Sequence, residues 1–176
     1  MTRVLVTYAS KMGSTKEIAE AIGGRLLERG FATDVSSAEA VGSIDGYDAV
    51  VVGSAVYATR WRREATRFVR RFRQQLAARK VWLFESGWVG TRPSTLVASP
   101  GARRRASRLG APAPAVFGGR LDPDLATGPL DRALANGLSG DARDWDEIRS
   151  WSDSVADALA DALADTAERV RKEGRR

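Results

Sequence analysis

Neither cysteine nor histidine occurs among the 176 residues. Without cysteine there is no disulfide, no thiolate nucleophile and no thiolate-held zinc or iron–sulfur centre. Without histidine, the commonest general base, proton shuttle and metal ligand is missing. An enzyme built from such a chain leaves the difficult chemistry to a cofactor. Lysine is scarce too, found only at Lys11, Lys16, Lys80 and Lys172, so arginine supplies nearly all the positive charge. No apolar run approaches the roughly 20 residues that span a bilayer. The first residues lack the build of a signal peptide, so a cytoplasmic protein is expected.

What is present describes a globular chain. Hydrophobic residues make up 43% of it, and 176 residues suffice for one domain, 1–176, with a full core. The net charge is +6, and the arginines concentrate in "RWRREATRFVRRFR" (60–73) and "ARRRASR" (102–108). Such a surface attracts anions: nucleic acid, lipid headgroups or a small molecule bearing carboxylates.

Strand and helix patterns alternate along the chain. "RVLVTY" (3–8) is a β-rich run, and a helix follows from about Ser14 to Arg29. Ile18, Ala19, Ala21, Ile22 and Leu26 form its apolar face and Gly30 ends it. "FATDVSS" (31–37) reads as the second strand. "DAVVVGSAV" (48–56) reads as the third, and its unbroken apolar run marks a central strand buried on both faces. A helix over Trp61 to Ala78 turns Ala65, Phe68, Val69, Phe72 and Leu76 inward and its arginines outward. "KVWLFES" (80–86) is a fourth strand, a short helix is expected near 101–109, and "APAVFGGRLD" (113–122) gives a fifth strand. Residues 123–142 read as a loop insertion. A last helix begins at "RDWDEIRSW", with Asp144 and Glu147 spaced as a capping box. Its apolar stripe is Trp145, Ile148, Trp151, Val155, Leu159 and Leu163. Asp153, Asp157, Asp161 and Asp165 recur every four residues as a solvated face, and residues 171–176 form a frayed basic tail. Five strands alternating with helices specify an α/β fold, a parallel sheet covered on both faces. Its ligand belongs at the carboxyl edge, where the connections reverse.

The loop "YASKMGSTKE" leaves the first strand at that edge. It lacks the glycines and lysine of a Walker loop and the three glycines of a dinucleotide fingerprint. Two readings stay open. Ser10, Ser14, Thr15 and the backbone around Gly13 can surround a terminal phosphate at a helix N-terminus. Alternatively, the helix is merely N-capped by a hydroxyl.

With S-x-x-G-S-T running into "KEIAEAI", the loop resembles the flavodoxin phosphate loop for FMN, usually T-x-T-G-N-T. Met12 departs by replacing a hydroxyl residue, so it can offer only its backbone N–H. "YASKMGSTKEIAEAI", "YDAVVVGSAVYATRW", "AVFGGRL" and "RDWDEI" together resemble the menaquinone-dependent protoporphyrinogen dehydrogenase family and its flavodoxin-domain relatives. The four blocks are spread in order along nearly the whole chain. The resemblance implies a flavodoxin-like doubly wound five-stranded parallel sheet of order 2-1-3-4-5 that binds FMN.

It further implies a phosphate site at Ser10, Lys11, Met12, Gly13, Ser14 and Thr15. The flavin ring is then expected between two loops: Ser54, Ala55, Val56, Tyr57, Ala58 and Trp61 after strand three, and Ser86, Gly87, Trp88 and Val89 after strand four. Small residues suit backbone hydrogen bonds to the ring, and Tyr57, Trp88 or Trp61 suit stacking. Hydride or electron transfer at flavin N5 is expected, with no side chain nominated as acid or base. Glu85 reads as structural.

Charge then separates the functions. Electron-carrier flavodoxins are as a rule acidic, so a chain of +6 fits better an enzyme handling an anionic or quinone-type substrate. Arg62, Arg63, Arg92 or Arg103–Arg105 are the candidates to hold a porphyrinogen's propionates. An anionic membrane surface and a second copy of the chain remain open as partners. Nucleic acid is disfavoured, because Phe68 and Phe72 fall on the inward helical face.

Overall fold

Along each central strand the side chains alternate between two cores. Leu5, Val50, Val52, Val81 and Leu83 point to one side, whereas Val4, Val6, Val51, Trp82 and Phe84 point to the other. A strand buried on both faces must lie between helical layers, and the computed structural model has this three-layer arrangement. It describes residues 1–88, 92, 93, 95–121 and 140–173.

The strands are β1 (Arg3–Ala9), β2 (Ala32–Ser37), β3 (Ala49–Tyr57), β4 (Arg60–Trp61), β5 (Lys80–Trp88), β6 (Ala115–Gly118), β7 (Arg120–Leu121) and β8 (Gly140–Asp141). The helices are α1 (Ser14–Glu28), α2 (Arg63–Arg71), α3 (Arg73–Ala77), α4 (Pro100–Leu109) and α5 (Trp145–Glu173). The main sheet runs β2-β1-β3-β5-β6, all parallel, with β4 folded back on β3. Apart from that short addition, it is the order 2-1-3-4-5 expected of a doubly wound fold. β7 and β8 form a separate antiparallel pair.

α2, α3 and α4 cover one face through Phe68, Phe72, Leu76 and Leu109. α1 and α5 cover the other, where Phe84, Phe117 and Trp151 pack tilted or edge-on with centroids 5.7–6.1 Å apart. Gly53 on β3 makes room for this cluster, since a Cβ there would lie 2.0 Å from the Phe84 ring.

Several local expectations are corrected. Ala21 is exposed, and the buried face of α1 runs through Ile18, Ala19, Ile22 and Leu26. The helix expected over 61–78 starts two residues late, because Arg60 and Trp61 pair with Tyr57 and Val56 as β4. It also breaks at Phe72, whose φ of −101° and ψ of 17° leave the helical region. Asp144 caps α5, its Oδ1 accepting from the N–H groups of Asp146 and Glu147 at 3.0 Å. Glu147, however, does not complete a capping box; its carboxylate takes Arg92 instead, at 2.8 and 3.1 Å. Trp145 and Leu163 of the expected stripe are about half exposed. Most of 123–142, the end of the 171–176 tail and Val89 lie outside the described residues. Among the described residues, no helix is long and apolar enough to cross a membrane.

The aspartate row of α5 divides in two. Asp161 and Asp165 face solvent, while Asp153 and Asp157 receive Arg25 and Arg29 of α1, with contacts of 2.9 and 2.7 Å to Asp153 Oδ1. Hydrogen bonds from Arg25, then Arg29, hold the Asp153 carboxyl below its ordinary 3.8. A carboxyl depressed in the folded state contributes stability above its unfolded pKa and loses it as pH falls. Acid unfolding should therefore begin below about pH 4, where Asp153 protonates and α5 loosens from α1. Asp153→Asn should show a flatter dependence of stability on pH across that window, read by tryptophan fluorescence. Parallel curves would show that this pair does not hold the helices.

Candidate functional site

The carboxyl ends of β1, β3 and β5 are in register, with Ala9 beside Ser54 and Ala55 beside Ser86. The three segments leaving them therefore meet in one cleft of about 220 Å³. Ser10, Lys11, Met12, Ser14 and Thr15 come from the first segment. Ala55, Val56, Tyr57 and Ala58 come from the second, and Ser86, Gly87 and Trp88 from the third. Parallel pairing has gathered residues up to 78 positions apart along the chain.

At one end lies the N-terminus of α1. Gly13 precedes its first turn with φ +81°, and no side chain caps it. α4 and α5 are capped by Ser99 and Asp144, whereas α2 and α3, like α1, have no side-chain cap. The simple N-capped reading of the loop therefore fails. The hydroxyl of Ser10 is buried and has no hydrogen-bond partner. Ser14 Oγ accepts the backbone N–H of Arg120 at 2.9 Å, so the hydroxyl hydrogen is left for another acceptor. Thr15 Oγ1 lies 2.8 Å from Ser86 Oγ, which links this end of the cleft to the β5 side. An uncapped helix terminus beside a buried partnerless hydroxyl leaves several donors able to meet acceptor oxygens.

The remaining lining, with Ala55, Val56, Ala58 and Leu121, is mostly apolar. Tyr57 and Trp88 line the cleft from the ends of β3 and β5, with Lys11 Nζ 5.5 Å from the Tyr57 ring centre. Trp88 Nε1 is buried without a partner. Ala58 and Thr59 connect β3 to β4 with φ of +47° and +63°. A two-residue hairpin turn demands positive φ at both positions, which asparagine and glycine accept and a β-branched threonine resists. Strain of this kind persists only where the surroundings impose it.

Three expected site residues fall elsewhere. Gly13 lines a separate hollow beside Lys16 and Glu17. Ser54 is fully buried beneath the cleft, its Oγ accepting from Arg62 N at 3.0 Å and donating to the Ala55 carbonyl at 2.9 Å. Trp61 is core, its Nε1 donating to Glu85 Oε2 at 2.8 Å and its ring covered by the Arg105 guanidinium at 5.1 Å. Its stacking face is thus taken, and Trp61 is withdrawn as a ring contact. In its place the structure adds Gly119, Arg120 and Leu121, which close the cleft from the end of β6. Reading "APAVFGGRLD" as a continuous strand hid them; the glycine pair was the signal that the strand stops.

A second cavity of about 460 Å³ shares the wall formed by Val56, Ala58, Gly87 and Trp88. Pro93, Leu96, Val97 and Val116 give it an apolar lining, and exposed Arg103 stands at its edge. Of the other arginines expected to hold anions, Arg63 and Arg104 are exposed, and three have partners within the chain. Arg62 pairs with Glu64 at 2.8 Å, Arg92 with Glu147, and Arg105 donates to Thr66 Oγ1 at 3.0 Å.

No curated protein sequence matches the chain. Among solved structures, the rubredoxin oxygen:oxidoreductase of Desulfovibrio gigas is similar with a TM-score of 0.64 and 15% identity, over 93% of this chain and 37% of that one. The chain thus spans little more than a third of that enzyme. Oxidised flavodoxin 2 from Bacillus cereus gives 0.61 and 20% identity, over 90% of this chain and 99% of that one. A WrbA-like flavodoxin from Agrobacterium tumefaciens gives 0.60 and 14%, over 92% and 99%. At such identities the likeness is one of fold. Residues 5–124 match the flavodoxin domain as a sequence family, which is more than half of the chain. The chain belongs to the flavodoxin-domain family, whose cofactor is FMN.

Proposed function

We propose that the protein is an FMN-dependent oxidoreductase acting on a small, largely apolar substrate that is anionic or quinone-like. The observation that carries the cofactor site is the uncapped α1 terminus beside the buried, partnerless Ser10 hydroxyl. Ser10, Ser14 and Thr15 donate to the phosphate, helped by backbone N–H groups of Lys11, Met12 and Gly13. Ala55, Val56, Tyr57 and Ala58 border one side of the ring, and Ser86, Gly87 and Trp88 the other. Tyr57 and Trp88 stack, while the buried Trp88 Nε1–H gains an acceptor. Bound FMN supplies the electron-accepting ring; the chain supplies orientation, exclusion of water and positive charge.

The second cavity favours an enzyme over a plain carrier, because it offers a small molecule an apolar chamber against the ring's wall, with Arg103 for an anionic group. A porphyrinogen, by resemblance of the motifs, and a quinone both fit this description. A peripheral position at an anionic membrane would suit the +6 charge and an apolar substrate.

An FMN titration followed by flavin fluorescence tests the cofactor, with saturable quenching at micromolar concentration expected. The reduced holoprotein is then mixed with a quinone and the oxidised protein with a porphyrinogen. Turnover in either supports the enzyme. A holoprotein that exchanges electrons only with another redox protein would instead make it a carrier.

A further inference from the structure

Arg120 holds a position at the phosphate end that neutral hydroxyl chemistry does not explain. Its backbone N–H is fastened to Ser14 Oγ at 2.9 Å, which ties residue 120 to the first turn of α1. One arm of its guanidinium, Nη2, donates to Glu17 Oε1 at 2.9 Å. Its Nε is buried and has no partner. The same side chain borders both the main cleft and the hollow beside Gly13, so it lies against the loop from two sides. A buried donor without an acceptor costs about 1–3 kcal/mol, which an acceptor oxygen brought by a ligand would remove.

Glu17 at first sight opposes an anion here, being a carboxylate in the first turn of α1. It is held between two cations, however. Arg143, whose side chain is only 4% exposed, donates to Glu17 Oε2 with one arm and to Asp141 with the other. Arg120 takes the remaining Glu17 oxygen. The carboxylate therefore holds the Arg120 guanidinium through Nη2 and leaves Nε without a partner.

Resting on the FMN reading above, we infer that Arg120 is a ligand of the cofactor's phosphate, donating Nε–H to an oxygen of the dianion. The phosphate end is then charge-compensated, and this chain distinguishes FMN from riboflavin by an ion contact as well as by hydroxyls. An arginine–phosphate contact is a strong, charge-assisted hydrogen bond. It also makes affinity depend on ionic strength, because salt screens the pair.

Arg120→Gln keeps the backbone bond to Ser14 and removes the charge. It should weaken FMN binding by at least about tenfold while changing riboflavin binding by less than about twofold, as expected for loss of one charged hydrogen bond. The fall of FMN affinity with added sodium chloride should also be shallower in the variant. Equal weakening for FMN and riboflavin would mean that Arg120 only shapes the β7–β8 pair, and would overturn the inference; so would an unchanged FMN affinity. The wild-type protein gives a test independent of the variant's folding: binding riboflavin as tightly as FMN would also overturn it. Wild-type protein that binds neither flavin would remove the cofactor reading itself, a distinguishable result.

Discussion

Replacing Gly13 with valine should lower FMN affinity by about three orders of magnitude while the sheet remains folded. The reason is conformational. Gly13 has φ +81°, where glycine rests without penalty and a β-branched residue does not. An added Cβ would meet nothing closer than Glu17 Oε1 at 3.9 Å, so crowding plays no part. Valine instead drives the backbone out of the left-handed region and swings the N–H groups of the loop away from the phosphate. Backbone strain of this kind costs on the order of 1–3 kcal/mol. Each hydrogen bond lost to a charged oxygen costs about 1.5–3 kcal/mol more. Gly13→Ala should give a smaller loss, and Ser14→Ala with Thr15→Ala a comparable one, since both hydroxyls are removed. Flavin-fluorescence titration with far-UV circular dichroism as the folding control reads the result. A Gly13→Val protein that binds FMN normally would show that the loop does not hold the phosphate.

The fold was legible because its signals are cooperative and local. Nine consecutive residues of β3, seven of them buried, allow only a central strand. The spacings 18–22–26 and 65–69–72–76 allow only amphipathic helices against it. The place of the loop after β1 in the cleft was legible for a related reason: a segment between a parallel strand and its helix lies at the carboxyl edge of the sheet.

Where sequence reading erred, the deciding contact came from far along the chain. β4 exists because Arg60 and Trp61 meet the end of β3 across the Ala58–Thr59 turn, and neither residue announces a turn with positive φ. An aromatic in a loop, such as Trp61, looks free to contact a ring. Trp61 is consumed by a carboxylate 24 positions later. Arg120 was hidden because its role depends on Ser14 and Glu17, more than 100 residues before it. Likewise, Asp153 and Asp157 have the periodicity of a solvated face. Only the packing of α5 on α1 reveals their arginine partners.

That same carboxylate, Glu85, provides the largest expected effect on stability. It lies within the buried part of β5, is 3% exposed, and accepts three hydrogen bonds: from Trp61 Nε1 at 2.8 Å, Ser99 N at 2.6 Å and Ser99 Oγ at 2.9 Å. Ser99 in turn caps α4 through Ala102 N. One side chain thus fastens β4 and the start of α4 to the central sheet. Glu85→Ala leaves the indole N–H and the Ser99 N–H buried without acceptors, at about 1–3 kcal/mol each, for a total loss of roughly 3–5 kcal/mol. Glu85→Gln retains one oxygen and the shape, so it should cost less than half as much. Urea unfolding followed by tryptophan fluorescence measures both. The phosphate loop is untouched, so FMN affinity should stay within about threefold in a folded Glu85→Gln protein. Glu85 also lines the second cavity, and turnover of an apolar substrate should respond more than cofactor binding does. Wild-type stability in Glu85→Ala would show that β4 and α4 are held by apolar packing alone. A loss of FMN as severe as that of Gly13→Val would move Glu85 from the scaffold into the cofactor site.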